Sequence, residues 1–298
     1  MRFSHAIETA LVSGAGAGFR ALPWHASLRA GAALGTCARR LGLRARVARD
    51  NLTRAFPDLD PAARAEILAR HYRELGRIVA EYTRLGPLVR APEGEVLAAA
   101  RGLEHLDRAL AGRRGAILLS GHFGNIELLG AWLGRRNPVS FVVRPLSNPG
   151  VERWITRCRG EAGVATIPAG AGVRRVYQEL RANRWVAMLA DQDARRQGVF
   201  VPFMGHPAST AIGPARLALA TGAPIVMGFD TRRDDGRHEI DVEPALEVED
   251  PRAPDAAERL TALHVAMLER WVRRCPEMWF WLHRRWKTAP RDPARGSG

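Results

Sequence analysis

Lysine is almost missing from this chain. Lys287 is the only one among 298 residues, although Lys and Arg together number 45 against 31 Asp and Glu. The formal charge of +14 is therefore carried almost wholly by arginine. A guanidinium grips phosphate and carboxylate through a planar fork, so this surplus suits an anionic partner; the arginine bias of a G+C-rich genome accounts for it equally well. Cysteine is scarce too. Cys37, Cys158 and Cys275 are far apart and form no CxxC pair, which argues against a disulfide framework and against a cysteine zinc site. No apolar run approaches the roughly 18 to 20 residues that cross a bilayer, and the start lacks the compact pattern of a cleaved signal. Contact with a membrane is therefore expected along its surface. There is no aromatic base-stacking motif or nucleic-acid module, so nucleic acid is not an expected partner.

What is present reads as a folded α/β protein. Apolar residues make up 46% and charged residues 26%, close to the soluble average. The first hundred residues carry helical periodicity through Leu28, Ala32 and Leu34 and through Ile67, Leu68, Leu75, Ile78 and Val79, with Pro61 as a first-turn starter. From Ala116 short apolar runs alternate with helical stretches: AILLS, VSFVV, VATI, WVAMLA and PIVMGF. That alternation predicts a mostly parallel central sheet flanked by helices, with an N-terminal helical portion. HEIDVE at residues 238–243 reads as a later, edge-like strand, and Asp255 to Arg274 as an amphipathic helix. No repeat or linker divides the chain, so residues 1–298 are read as one domain. Within it, residues 1–57 hold nine arginines against Glu8 and Asp50 and are expected to associate with a membrane.

SGHFGNIE at residues 120–127 places His122 just beyond a strand, in a turn that Gly121 and Gly124 permit, before the helix NIELLGAWL. In open α/β sheets, ligands gather at that edge. At about 3.6 residues per turn, His122 and Glu127 on one regular helix would be about 140° apart. They can meet only with His122 in the turn and Glu127 in the helix. A carboxylate on one imidazole nitrogen fixes the tautomer and raises the basicity of the other, giving a general base for a hydroxyl. Backbone N–H groups at the helix start and the Asn125 amide could support a developing oxyanion. The same residues also suit plain helix capping, and spacing alone does not separate the two. Ser120 lies outside any G-x-S-x-G elbow, which argues against a hydrolase nucleophile.

H-x-x-x-x-E, His122 to Glu127, resembles the H-x-x-x-x-[DE] signature of glycerolipid acyltransferases, and its surroundings resemble the bacterial lipid A biosynthesis (lauroyl/myristoyl-type) acyltransferases. The supporting stretches, in the family's order, are NLTRAFP at 51–57, LSGHFGNIELLG, VVRPLSNP at 142–149, MLADQD at 188–193, GVFVPFMGHPAST at 198–210, LALATGAPIV at 217–226 and PEMWFWLHRRWK. The resemblance implies transfer of an acyl chain from a thioester, acyl carrier protein or acyl-CoA, to a hydroxyl of a phosphorylated glycolipid, at the cytoplasmic face of a bacterial inner membrane. It makes His122 the base and Glu127 its orienting partner, with no covalent intermediate, no metal and no cofactor.

Arg144 and Arg159 resemble family arginines that could hold a sugar phosphate or stabilise charge during transfer. Asp191 and Gln192, closing the strand WVAMLA, are assigned acceptor binding or site organisation. Ser209 and Thr210 read as helix caps or as hydrogen-bond donors to a phosphate. Trp279, Phe280, Trp281 and Trp286 could form a membrane-interface belt or pack as a terminal helix. Two other readings stand beside the first: an acyltransferase acting on a lysophospholipid, an ornithine lipid or another glycolipid, and a non-catalytic arginine-rich membrane- or nucleic-acid-binding protein.

Overall fold

In the computed structural model, which describes residues 3–92 and 94–290, the expected helical portion comes first. It comprises α1 (Phe3–Ala21), α2 (Trp24–Arg40), α3 (Ala45–Ala55), α4 (Pro61–Tyr82) and the short α5 (Leu85–Val89). Pro61 does start α4, and Asp60 caps it by accepting from the Ala63 N–H at 2.7 Å. α2 lies so close on α4 that a Cβ on Gly76 would sit 1.9 Å from the Gly31 carbonyl oxygen. Met1 and Arg2, which begin the basic 1–57 segment, fall outside the described residues. Within that segment Ile7, Leu11, Leu34, Leu41 and Leu43 are exposed. No described helix is long and apolar enough to cross a membrane.

The α/β portion contains β1 (Leu97–Arg101), α6 (Leu103–Ala111), β2 (Ala116–Ser120), α7 (Ile126–Leu133), β3 (Val139–Val143), α8 (Pro149–Glu161), β4 (Ala165–Pro168), α9 (Val173–Arg181) and β5 (Trp185–Leu189). It continues with β6 (Val199–Phe203), β7 (His206–Thr210), α10 (Gly213–Thr221), β8 (Ile225–Arg232), β9 (His238–Val242) and α11 (Ala256–Arg274). Seven strands form one sheet in the order β1-β9-β8-β2-β5-β3-β4. All neighbours pair in parallel except β8 with β9. The core strands read as continuous apolar runs because both sheet faces are covered, by separate buried clusters.

Two expectations change. β9 is not at the edge, because β1 pairs along its outer side; alternation marks a half-covered face, which an inner strand can also have. The terminal aromatic stretch is neither a membrane belt nor a helix. Trp279 and Trp281 are 1% and 0% exposed, and after a short turn at Pro276–Met278 the chain runs in irregular conformation under the sheet edge. Rings of this size bury a large apolar area, and the buried Trp279 and Trp281 N–H groups both find acceptors.

Candidate active site

Strand register explains which side chains meet. β2 and β5 are parallel neighbours with Ser120 opposite Leu189. Two residues further along each chain, past the carboxyl edge, come His122 and Asp191. His122 Nδ1 lies 2.7 Å from Asp191 Oδ1, and the His122 backbone N–H donates to Asp191 Oδ2 at 2.8 Å. Trp279 Nε1 donates to the same Oδ2 at 2.9 Å. A carboxylate only accepts, so Nδ1 carries the proton and Nε2 keeps its lone pair when the ring is neutral. Gln192 Nε2 is 3.3 Å from that Nε2, placed to donate to it.

Burial alone would lower the His122 pKa, but the Asp191 charge and hydrogen bond, with a smaller contribution from Glu127, outweigh it and raise the pKa above the ordinary 6.5. Burial works against the Asp191 charge too, yet His122 and Trp279 hold its carboxyl well below the usual range. The imidazole edge remains about a third exposed and Asp191 is buried. This is an oriented imidazole that is partly open to solvent.

Glu127 takes a different partner from the one expected. Arg159 on α8 reaches it with two hydrogen bonds, Nε to Oε2 at 3.0 Å and Nη2 to Oε1 at 2.6 Å. The orienting place on the imidazole that the resemblance gave to Glu127 is taken by Asp191, at Nδ1. The physical reason lies in the turn: the cap is Asn125, so Glu127 is already the second helical residue and projects towards α8. Glu127, Arg159 and Ser120 are the polar residues lining an otherwise apolar cavity of about 80 Å³, whose walls include Leu106, Leu118, Leu129, Leu133, Phe141 and Val242. Ser120 Oγ donates to the Gly228 carbonyl at 2.8 Å, away from any activating base.

The turn itself is locked. Gly124 has φ +60°, and a Cβ there would lie 2.0 Å from the Asp230 carbonyl oxygen. On the far side, the C-terminal stretch braces it: the Gly124 N–H donates to Met278 O and the Phe280 N–H to His122 O, both at 2.9 Å. Asn125 is buried and caps α7, accepting from the Leu128 N–H at 3.0 Å. It closes a ring of hydrogen bonds. Its N–H donates to Asp230 Oδ2 at 2.7 Å, Asp230 Oδ1 meets His238 Nδ1 at 2.8 Å, His238 Nε2 meets Glu81 Oε1 at 2.9 Å, and Glu81 Oε2 accepts from Asn125 Nδ2 at 2.9 Å. Arg232 adds two bonds to Glu81 at 2.7 Å each and one to Glu74 at 2.7 Å. Asn125 is therefore held inside the protein, not turned towards a substrate.

Burial disfavours the His238 charge, but Asp230 and Glu81 raise its pKa to about 9. A pKa raised on folding stabilises the protein fully below the ordinary 6.5, and that contribution is lost as pH rises through about 9. The shift corresponds to about 3 kcal/mol. The difference in unfolding free energy between wild type and His238→Gln is expected to shrink by roughly that amount between pH 6.5 and 9.5, measured by denaturant titration. A difference that stays constant with pH would show that His238 is neutral in the fold.

Of the other sequence candidates, Arg144 is exposed and lines a surface cleft with Asp193 and Lys287. Thr210 is fully buried; its hydroxyl donates to Ala208 O at 3.0 Å and accepts from Arg285 Nη2 at 2.5 Å. Neither Ser209 nor Thr210 caps α10, whose N-terminal cap is Ile212 with no side-chain bond. Among the described residues no group of three or more His, Cys, Asp or Glu is placed to hold a metal.

The family model for bacterial lipid A biosynthesis acyltransferases matches residues 1–288. The chain belongs to that family. It is 29% identical over 275 residues to the lipid A biosynthesis palmitoleoyltransferase of Escherichia coli, covering 90% of this chain and 87% of that protein. The lauroyltransferase of the same organism is 28% identical over 274 residues, covering 90% and 88%. A phosphatidylinositol mannoside acyltransferase of Mycobacterium tuberculosis is 34% identical over 178 residues, 58% of this chain; the match spans 54%, about half, of that relative's length. The family match runs through the whole site, from the helical portion that supplies Glu81 to the terminal segment that supplies Trp279.

Proposed function

We propose that this chain transfers a fatty acyl group from an acyl thioester, on acyl carrier protein or coenzyme A, to a hydroxyl of a lipid A precursor or a similar phosphorylated glycolipid. The observation that carries the reading is the His122–Asp191 pair just past the carboxyl edge of the sheet, with the His122 side chain about a third exposed and the end of β2, which leads into it, lining an apolar cavity. Nε2 accepts the acceptor's hydroxyl proton as its oxygen attacks the thioester carbonyl, and Asp191 stabilises the imidazolium. The tetrahedral intermediate collapses by expelling the thiolate, which takes the proton from Nε2. Arg159, fixed by Glu127, supports the negative charge on the former carbonyl oxygen. No acyl-enzyme forms, because the acceptor oxygen attacks directly.

The cavity receives the acyl chain from its carbonyl end, and each buried methylene adds about 0.8 kcal/mol to binding. The exposed leucines Leu41 and Leu43, set beside Arg39, Arg40 and Arg46, support peripheral attachment to the inner leaflet of a bacterial membrane. The Mycobacterium relative favours a second reading, an acceptor built on phosphatidylinositol. Incubation with acyl carrier protein and CoA thioesters against a lipid A precursor, a mannosylated phosphatidylinositol and a lysophospholipid, followed by lipid mass spectrometry, separates these. One acylated product is expected from the lipid A precursor; acylation of the inositol lipid alone would favour the second reading, and no product from any pair would refute acyl transfer.

A further inference from the structure

Immediately outside His122 lies a cleft that the catalytic account leaves unused. Gln192, which touches His122 Nε2, is followed by Asp193, and from there the wall of a cavity of about 820 Å³ runs through Arg195 and Arg196 to Lys287, with Arg144 opposite. Arg144 follows β3 and Asp193 follows β5, which are parallel neighbours, so both come from the sheet edge that bears His122. All four cations are exposed. Some arginines elsewhere on this surface sit on carboxylates, such as Arg101 on Glu239 and Asp241, Arg175 on Glu179 and Arg237 on Asp235, and others, among the described residues, stand alone; what sets the cleft apart is that four cations share one concavity. In the cleft, among the described residues, the one lining carboxylate is Asp193, and its Oδ2 accepts the Thr288 hydroxyl at 2.9 Å. The only lysine of the chain is one of the four.

Four like charges around a concavity repel one another unless an anion sits between them, and a concave wall focuses their field on its centre. Arginine forks and a lysine point charge together match the tetrahedral oxygens of a phosphate. We propose that Arg195, Arg196 and Lys287, with Arg144, form a phosphate-ester site that holds a substrate's headgroup beside His122. The proposal rests on the acyl-transfer reading and deepens it. The apolar cavity takes the chain and the cleft takes the phosphate. That phosphate belongs either to the sugar headgroup of the acceptor or to the pantetheine arm of the donor.

The test is a binding measurement, independent of turnover. Calorimetric titration at fixed ionic strength compares glucosamine 1-phosphate with glucosamine and 4′-phosphopantetheine with pantetheine, for wild type and for the triple variant Arg195→Gln, Arg196→Gln, Lys287→Gln. These side chains are exposed, so the fold is retained, which circular dichroism checks. Wild type is expected to bind at least one phosphorylated probe about tenfold more tightly than its unphosphorylated partner, and the triple variant to lose that preference. Preference for the sugar phosphate assigns the site to the acceptor, and preference for phosphopantetheine assigns it to the donor. A wild type without either preference, or a variant that keeps it, overturns the site. A preference that stands while no thioester and acceptor pair yields product would refute acyl transfer and leave the cleft intact.

Discussion

His122→Ala is expected to lower kcat by about a thousandfold or more, within the range general bases supply, while the protein stays folded. The His122 side chain is a third exposed, and its ring is approached chiefly by Asp191, Gln192 and the Phe280 ring, whose centroid is 6.1 Å away. Its removal opens space at the surface and leaves Asp191 still accepting from the His122-position backbone N–H and from Trp279. Acceptor binding depends on other groups, so KM should change little. The comparison of kcat with KM under matched thermal stability checks this, and activity within about tenfold of wild type would remove His122 from the role of base.

Asp191→Asn is expected to cost nearly as much, for a different reason. The carboxylate receives three donors, the His122 ring, the His122 N–H and Trp279 Nε1. An amide brings its own N–H groups into that set. One then faces Nδ1 and turns the imidazole to the tautomer protonated on Nε2, which cannot take a hydroxyl proton. A loss of about a thousandfold in kcat follows from this tautomer argument. The pH profile carries a sign. Because Asp191 raises the His122 pKa above 6.5, the neutral base accumulates only as pH rises above that value, and kcat/KM climbs on an acid limb there. In Asp191→Asn the residual activity keeps an acid limb displaced to lower pH. A limb that does not move would mean that another group sets the protonation of His122.

The fold was largely legible because a strand buried on both faces must be an unbroken apolar run, and AILLS, VSFVV, WVAMLA and PIVMGF are such runs. β1 escaped notice because LAAAR lacks the β-branched and aromatic residues that mark strands. The β6–β7 hairpin was hidden by its prolines: Pro202 pairs with Pro207 across it, in a two-stranded sheet where each can occupy an edge. His122 stood out as a candidate base from the strand-turn-helix grammar, which suited helix capping equally, and the family resemblance was what favoured the base.

Its partner did not stand out. Asp191 is 69 residues away and reaches His122 only through the β2–β5 register, while Arg159, 32 residues beyond Glu127, draws that carboxylate off. One-dimensional spacing favoured the nearer acid. The terminal tryptophans show the same limit, since an aromatic, basic run reads alike whether it faces lipid or, as here, closes over the His122 turn. The buried ring of Asn125, Asp230, His238 and Glu81 left no trace in any local pattern, because its members come from α4, β8, β9 and the cap of α7.

The most direct test of acyl transfer by His122 is a single-turnover reaction of wild type and His122→Ala with an isotopically labelled acyl thioester and a lipid A precursor, quenched and resolved by mass spectrometry. The account predicts that wild type forms an ester-linked acyl lipid, releases free thiol only when acceptor is present and carries no acyl group on the protein, while the variant forms none of the lipid. Thiol release without acceptor, a stable acyl-protein mass, or equal product from the variant would contradict it.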